Sequence, residues 1–124
     1  MGRGYRSKRL GELIRQEISS MFYQGLKDPR LHSGIISLLE VQVDSELNRA
    51  NIYVSILDKD KADEVMKAFA SANGYIRREL AKRLSVRQVP ELVFHHDTTI
   101  EEGLRLRRII DDLNTKDEQD DSAT

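Results

Sequence analysis

Ala72-Asn73-Gly74-Tyr75-Ile76-Arg77-Arg78-Glu79-Leu80-Ala81-Lys82-Arg83-Leu84 decides how this chain folds. It continues an apolar series made of Ala62, Val65, Met66, Phe69, Ile76, Leu80 and Leu84, with gaps of three and four apart from the adjacent Val65-Met66 and one gap of seven. That is the helical period, and by periodicity alone a helix covers roughly residues 61–85. Asn73-Gly74 sits in its middle. A helix-interior Gly costs about 1 kcal/mol relative to Ala, and Asn is also a weak helix former. The expectation is therefore a helix kink or break at Ala72, Asn73 and Gly74, giving a kinked helix pair that shares an apolar face. Gly74, Arg78 and Lys82 fall at i, i+4 and i+8 on a line away from the apolar series, with Arg77 beside them. A bare glycine lets another backbone come close, and the cations below it suit phosphate. The plainer reading is a glycine tolerated for helix packing beside solvated Arg and Lys. The stretch alone leaves both open.

The 124 residues suffice for one domain with a real core. No Cys is present, which excludes disulfides and thiolate metal sites. No apolar run approaches the ~20 residues of a membrane-spanning helix, and no apolar segment follows the N-terminal charges as a secretory signal requires. The expected compartment is the cytoplasm. Net charge is −1, but it is unevenly spread. Residues 1–30 and 72–90 each carry net +4, whereas 31–71 and 91–124 carry −3 and −6. Two basic segments that fold onto one face form an electrostatic footprint for nucleic acid.

Outward from the central stretch, residues 2–8 read as a basic arm, with Ser7 as N-cap of an amphipathic helix. Leu10, Leu13, Ile14, Ile18, Met21 and Phe22 make its inner stripe. Gly25 suits the position after its end and Pro29 blocks continuation. Residues 27–34 read as a loop. Residues 35–44 alternate, with Leu39, Val41 and Val43 against Glu40, Gln42 and Asp44. Residues 49–57 alternate likewise, with Ala50, Ile52, Val54 and Ile56 inward. Such alternation marks a sheet wet on one face. Ser45-Glu46-Leu47-Asn48 fits a hairpin turn, and Asp60 is a candidate cap for the helical region. Leu92-Val93-Phe94-His95-His96 reads as a third strand. A capping box from Thr99 to Glu102 opens a last helix over about 100–113. The acidic residues 114–124 contain almost nothing apolar and read as a flexible tail. The whole is a single two-layer α+β domain over residues 1–113 with a three-stranded sheet, covered by helices on one face.

His95-His96-Asp97 is the one cluster with a catalytic or metal-like look. Neighbouring strand residues point to opposite faces, so the two histidines do not share an ion. No glycine-rich phosphate loop, nucleophile motif or carboxylate cluster with a supporting base is present. The chain therefore reads as a non-enzyme without cofactor or metal. Two functions stay open. One is an RNA-binding module that contacts backbone and shape, since aromatics for base stacking are few. The other is a protein-interaction adaptor without direct RNA binding.

From about Tyr5 to Leu113 the chain resembles the ribosome-binding factor A family. The resemblance rests on the amphipathic 6–22 segment, on Asp28-Pro29-Arg30 before a strand, and above all on Ala72-Asn73-Gly74-Tyr75-Ile76-Arg77-Arg78-Glu79-Leu80-Ala81. It continues through Arg87-Gln88-Val89-Pro90-Glu91-Leu92-Val93-Phe94 and residues 97–103. It implies a KH-like fold of the second type, in which an Ala-x-Gly kink replaces the usual glycine loop. It further implies a ribosome assembly factor that binds the immature small (30S) subunit and its 16S rRNA, supports late maturation and rRNA processing, and matters for growth in the cold. A ribosome-maturation GTPase acting in release is the implied second partner, and a monomer the expected state. Charge and wheel geometry select the expected RNA contacts: Arg6, Lys8, Arg9 and Arg15, then Asn73, Gly74, Arg77, Arg78, Lys82 and Arg87.

Overall fold

The computed structural model describes residues 2–32 and 35–122, with side chains over 4–32, 35–99 and 102–114. The elements run α1 (Gly2–Gln24), a 3-10 turn (Pro29–His32), β1 (Ile36–Val43) and β2 (Arg49–Ile56). A second 3-10 turn (Lys59–Lys61), α2 (Ala62–Arg83), β3 (Glu91–His96) and α3 (Thr99–Ser122) follow. The strands lie in the order β1-β2-β3. β1 pairs antiparallel to β2, and β2 pairs parallel to β3. Parallel neighbours need a crossover, and α2 supplies it. α1 packs on β1, α2 packs on β3, and the two helices touch.

The core forms where the alternation of β2 meets the helical stripes. Ala50, Ile52, Val54 and Ile56 are fully buried against Ile14 and Ile18 of α1 and Val65, Ala68, Phe69, Ile76 and Leu80 of α2. Phe69 is the largest of these, set edge-on to Phe22 and stacked on Phe94. The other sheet face is left to Asn51, Tyr53, Glu40, Gln42 and His95, so helices cover one face as expected.

β1 departs from the simple alternation. Its register shifts between Leu38 and Glu40, so Leu39 is the extra residue of a bulge. Ile36 and Leu38 face the core before it, and Val41 and Val43 after it. Leu39 therefore does not belong to the inward set, because one inserted residue reverses the parity of everything that follows. The hairpin turn is held by the Asp44 carboxylate, which accepts the N–H of Asn48 at 2.7 Å and of Arg49 at 3.1 Å.

The expected break in the central helix is absent. α2 runs without interruption through Ala72, Asn73 and Gly74, so the helix pair is one element. The energetics favour this. Val65, Ala68 and Phe69 before the glycine and Ile76 and Leu80 after it are all buried. Full burial of a large apolar side chain contributes about 1.5–3 kcal/mol, several times the penalty of one Gly. A break would also strand backbone donors and acceptors.

The helix ends differ in detail. α1 begins at Gly2, so the basic arm is helical. Ser7 is inside the helix, its hydroxyl donating to the Gly4 carbonyl rather than capping an end. α1 stops at Gln24 as expected, with Gly25 at φ 88°. The loop after it contains the Pro29–His32 turn, and residues 33–34 lie outside the described residues. Asp58 rather than Asp60 supplies the carboxylate before α2, accepting the Asp60 N–H. At α3, Thr98 rather than Thr99 bonds the Glu102 carboxylate. α3 then runs to Ser122 instead of ending near Leu113, so the acidic segment read as a flexible tail is helical to Ser122. Residues 123–124 lie outside the described residues. Leu104, Leu106, Ile109, Ile110 and Leu113 of α3 do not join the core.

Candidate nucleic-acid interface

α2 presents the expected line on its outer side. Gly74, Arg78 and Lys82 are exposed, and Gly74, Arg77, Arg78 and Ala81 line a shallow depression with Val89. A Cβ built on Gly74 would meet nothing but the far end of the Arg78 side chain, at 3.4 Å. The fold itself does not need a glycine there, which removes the packing explanation for it. Lys82 lies 3.5 Å from Glu79 and stays 74% exposed, so its charge still faces solvent.

Two expected contacts have structural work instead. The Asn73 side-chain amide donates to the Leu92 carbonyl of β3 at 2.9 Å. The Arg77 guanidinium donates to the Val89 carbonyl at 2.8 Å. Both fasten the strand and its lead-in to α2. Backbone carbonyls are not visible in a sequence, so nothing there marks these side chains as anchors. Arg87 is exposed in the segment between α2 and β3.

The α1 group sits elsewhere. Arg6, Lys8, Arg9 and Arg15 are placed on this helix, with Lys8 and Arg15 in a depression shared with Gly11, Glu12, Leu39, Glu40 and Val41 at the β1 side. The α2 line opens beside Val89, on the β3 side. The two basic segments thus fold into separate depressions rather than one groove, and the first contains two carboxylates. Gly11 is the residue there that the sequence does not flag. An added Cβ would lie 2.7 Å from the Val41 carbonyl oxygen, so α1 reaches the β1 backbone only through a glycine.

Arg83 is likewise unmarked by sequence pattern. It reaches Glu17 at 3.4 Å, Gln24 at 3.0 Å and Glu79 at 3.6 Å, clasping α1 to α2. On the open sheet face, His95 stacks on Tyr53 with ring centroids 5.0 Å apart and bonds Asn51 at 2.8 Å. His96 occupies the opposite parity, paired with Val54, so the two histidines diverge.

Asp28-Pro29-Arg30 forms a closed ion pair. The Arg30 backbone N–H and Nε donate to Asp28 Oδ1, and an outer guanidinium nitrogen meets Oδ2 at 2.7 Å. The guanidinium hydrogen bonds and then the backbone N–H hold the Asp28 carboxyl below its usual value. A lowered folded pKa stabilises the fold above the unfolded value and loses that contribution as pH falls through the folded one. The Asp28 carboxyl carbon is therefore expected to titrate by NMR with a midpoint under 3.8. Arg30→Ala returns it to the ordinary range. A parent midpoint at or above 3.8 refutes the pair's role.

The family profile described as ribosome-binding factor A matches residues 6–110. A ribosome-binding factor A from Caldicellulosiruptor bescii is 43% identical over 93% of this chain and 89% of its own length. One from Gloeobacter violaceus is 38% identical over 92% of this chain and 90% of its own. A Thermotoga maritima protein solved by NMR superposes with a TM-score of 0.67 at 30% identity, covering 78% of this chain and 92% of that one. The crystal structure of ribosome-binding factor A from Thermus thermophilus gives 0.62 at 21% identity, over 73% and 94%. The fold is KH-like, as these structures are.

Proposed function

The chain belongs to the ribosome-binding factor A family, and from that premise we propose that it binds the immature small (30S) ribosomal subunit through 16S rRNA. It supports late maturation and rRNA processing there, in the cytoplasm, without chemistry of its own. A maturation GTPase releases it. The observation that carries the docking surface is Gly74, a bare and exposed backbone position in a continuous helix, where the fold places nothing but the tip of the Arg78 side chain. Arg78 and Lys82 follow it on the same side. Phosphate contacts position a protein on RNA, and a bare glycine on the helix surface lets the RNA backbone come into van der Waals contact that a longer side chain would block.

The test is binding to isolated small subunits and to mature ribosomes at two salt concentrations. Each phosphate neutralised contributes roughly −0.7 to −0.9 to the log–log salt slope. Arg78→Ala with Lys82→Ala is expected to flatten the slope by about 1.5 units. Gly74→Ala separates stability from function. It raises fold stability by about 0.4–1 kcal/mol, since the helix gains and nothing clashes, while binding falls at every salt concentration. Parent-like affinity and slope in the folded double variant would move the docking surface to the α1 group.

A further inference from the structure

Gly25, at φ 88°, turns the chain back after α1, and the loop that follows lies along α2. The loop is tied in three places. The Asp28–Arg30 ion pair is closed, an Arg30 guanidinium nitrogen reaches Ser71 Oγ of α2 at 3.5 Å, and His32 Nε2 bonds the Leu26 carbonyl. Between loop and helix lies a depression of about 230 Å³. The buried Leu26 and Leu31 and the half-buried Ala72 form its floor, and the exposed Lys27 and Ser71 stand at its rim. Tyr75 walls it with a side chain left 48% exposed. The same side of α2 carries the docking cations. With 3.6 residues per turn, Lys67, Ser71, Gly74, Tyr75, Arg78 and Lys82 fall within an arc of roughly 100°, and all six are exposed.

We propose that this depression takes one unpaired nucleobase of the bound RNA, stacked on the Tyr75 ring while Arg78 holds a phosphate of the same strand; the proposal rests on the RNA-docking reading of α2. Unpaired bases splay out of RNA and stack on aromatic side chains. Charge selects a nucleotide over an apolar protein side chain. Lys67, Arg78 and Lys82 share the arc with Tyr75, and Lys27 faces them from the loop. The carboxylate that lines the depression, Asp28, is already paired with Arg30. The occupant is thus a flat, largely apolar group with an anion beside it. Spacing agrees. Tyr75 and Arg78 are i, i+3 neighbours, about 5–6 Å apart at Cβ, which suits the reach from a phosphate to its own base. The Ser71 hydroxyl accepts from Arg30 and keeps its hydrogen for an acceptor on the base edge. Because the loop is tied before RNA arrives, little ordering entropy is lost on binding. The Asp28–Arg30 pair thereby shapes one wall of a binding site.

Binding of the full chain to isolated small subunits at two salt concentrations tests this. Tyr75→Leu keeps an apolar cover over the depression and a good helix former in α2, but it removes the ring. It is expected to weaken binding about tenfold at both salt concentrations. The salt slope stays that of the parent, because stacking displaces no counterions. Tyr75→Phe keeps the ring and binds within about twofold of the parent. A Tyr75→Leu variant with parent affinity overturns the proposal, and so does a Tyr75→Phe variant as weak as Tyr75→Leu. Contact is read by replacing Tyr75 with photoreactive p-azidophenylalanine and irradiating the complex. The expected product is a crosslink to a single 16S rRNA nucleotide; a crosslink to a ribosomal protein instead overturns the base site. The two readings fail separately. Parent affinity in Tyr75→Leu removes the base site while the Arg78, Lys82 double variant still flattens the slope. A parent chain that does not bind the small subunit overturns both.

Discussion

Phe69→Ala lowers the stability of the fold by about 3–5 kcal/mol. The reason is its position at the meeting point of three elements. Phe69 is fully buried on α2. Its ring lies 5.7 Å from Phe22 of α1 at 84°, and 4.6 Å from Phe94 of β3 at 14°. Truncation removes both ring contacts and leaves a cavity bounded by a helix on one side and a strand on the other. Neither can collapse inward without losing its own register, so the cavity term is felt in full. A small domain has only about 5–15 kcal/mol in total. The substitution thus brings this one close to unfolding. Urea denaturation should show a lower midpoint at an unchanged m-value. A loss under about 1 kcal/mol would mean that the junction repacks, against the stiffness expected of a close-packed interior.

Gly11→Ala is expected to destabilise the fold by about 1–3 kcal/mol, although alanine is the better helix former by about 1 kcal/mol. The added methyl would meet the Val41 carbonyl oxygen at 2.7 Å. Its neighbour is backbone, which cannot swing aside as a flexible side chain can. Either α1 lifts from the sheet or β1 shifts against β2 beside the bulge at Leu39. The same change at Gly74 is expected to stabilise. Two helix-interior glycines, one substitution and opposite signs make a sharp comparison by thermal unfolding. Equal signs would show that the approach of α1 to β1 is looser than described.

Much of this architecture is legible in local pattern. The stripe of α1, the stop at Gly25 and the alternation in β2 are consequences of period and turn chemistry, and all three hold. What local pattern misses depends on distant partners. The bulge at Leu39 inserts one residue against β2, and alternation in β1 alone cannot register it. Local propensity favours a break at Asn73-Gly74, and burial on both sides overrules it. Among the expected interface residues, Gly74, Arg78 and Lys82 do point outward. Asn73 and Arg77 look the same in sequence, yet they spend their donors on the Leu92 and Val89 carbonyls. The sequence carries charge; only the fold assigns it an address.

The mixed pairing of β2 bears on how the chain comes together. Its antiparallel neighbour arrives through a tight turn, within microseconds in isolated hairpins. Its parallel neighbour arrives only after the 22 residues of α2 have crossed over the sheet, and such non-local closure is slow. β3 is thus the last strand on and, in partial opening, the first off. While it is away, β2 shows an unpaired edge bearing Ile52 and Val54, a template for another chain's strand. The two hydrogen bonds from Asn73 and Arg77 shorten that interval. A substitution there would be felt as aggregation during synthesis before it was felt as lost affinity.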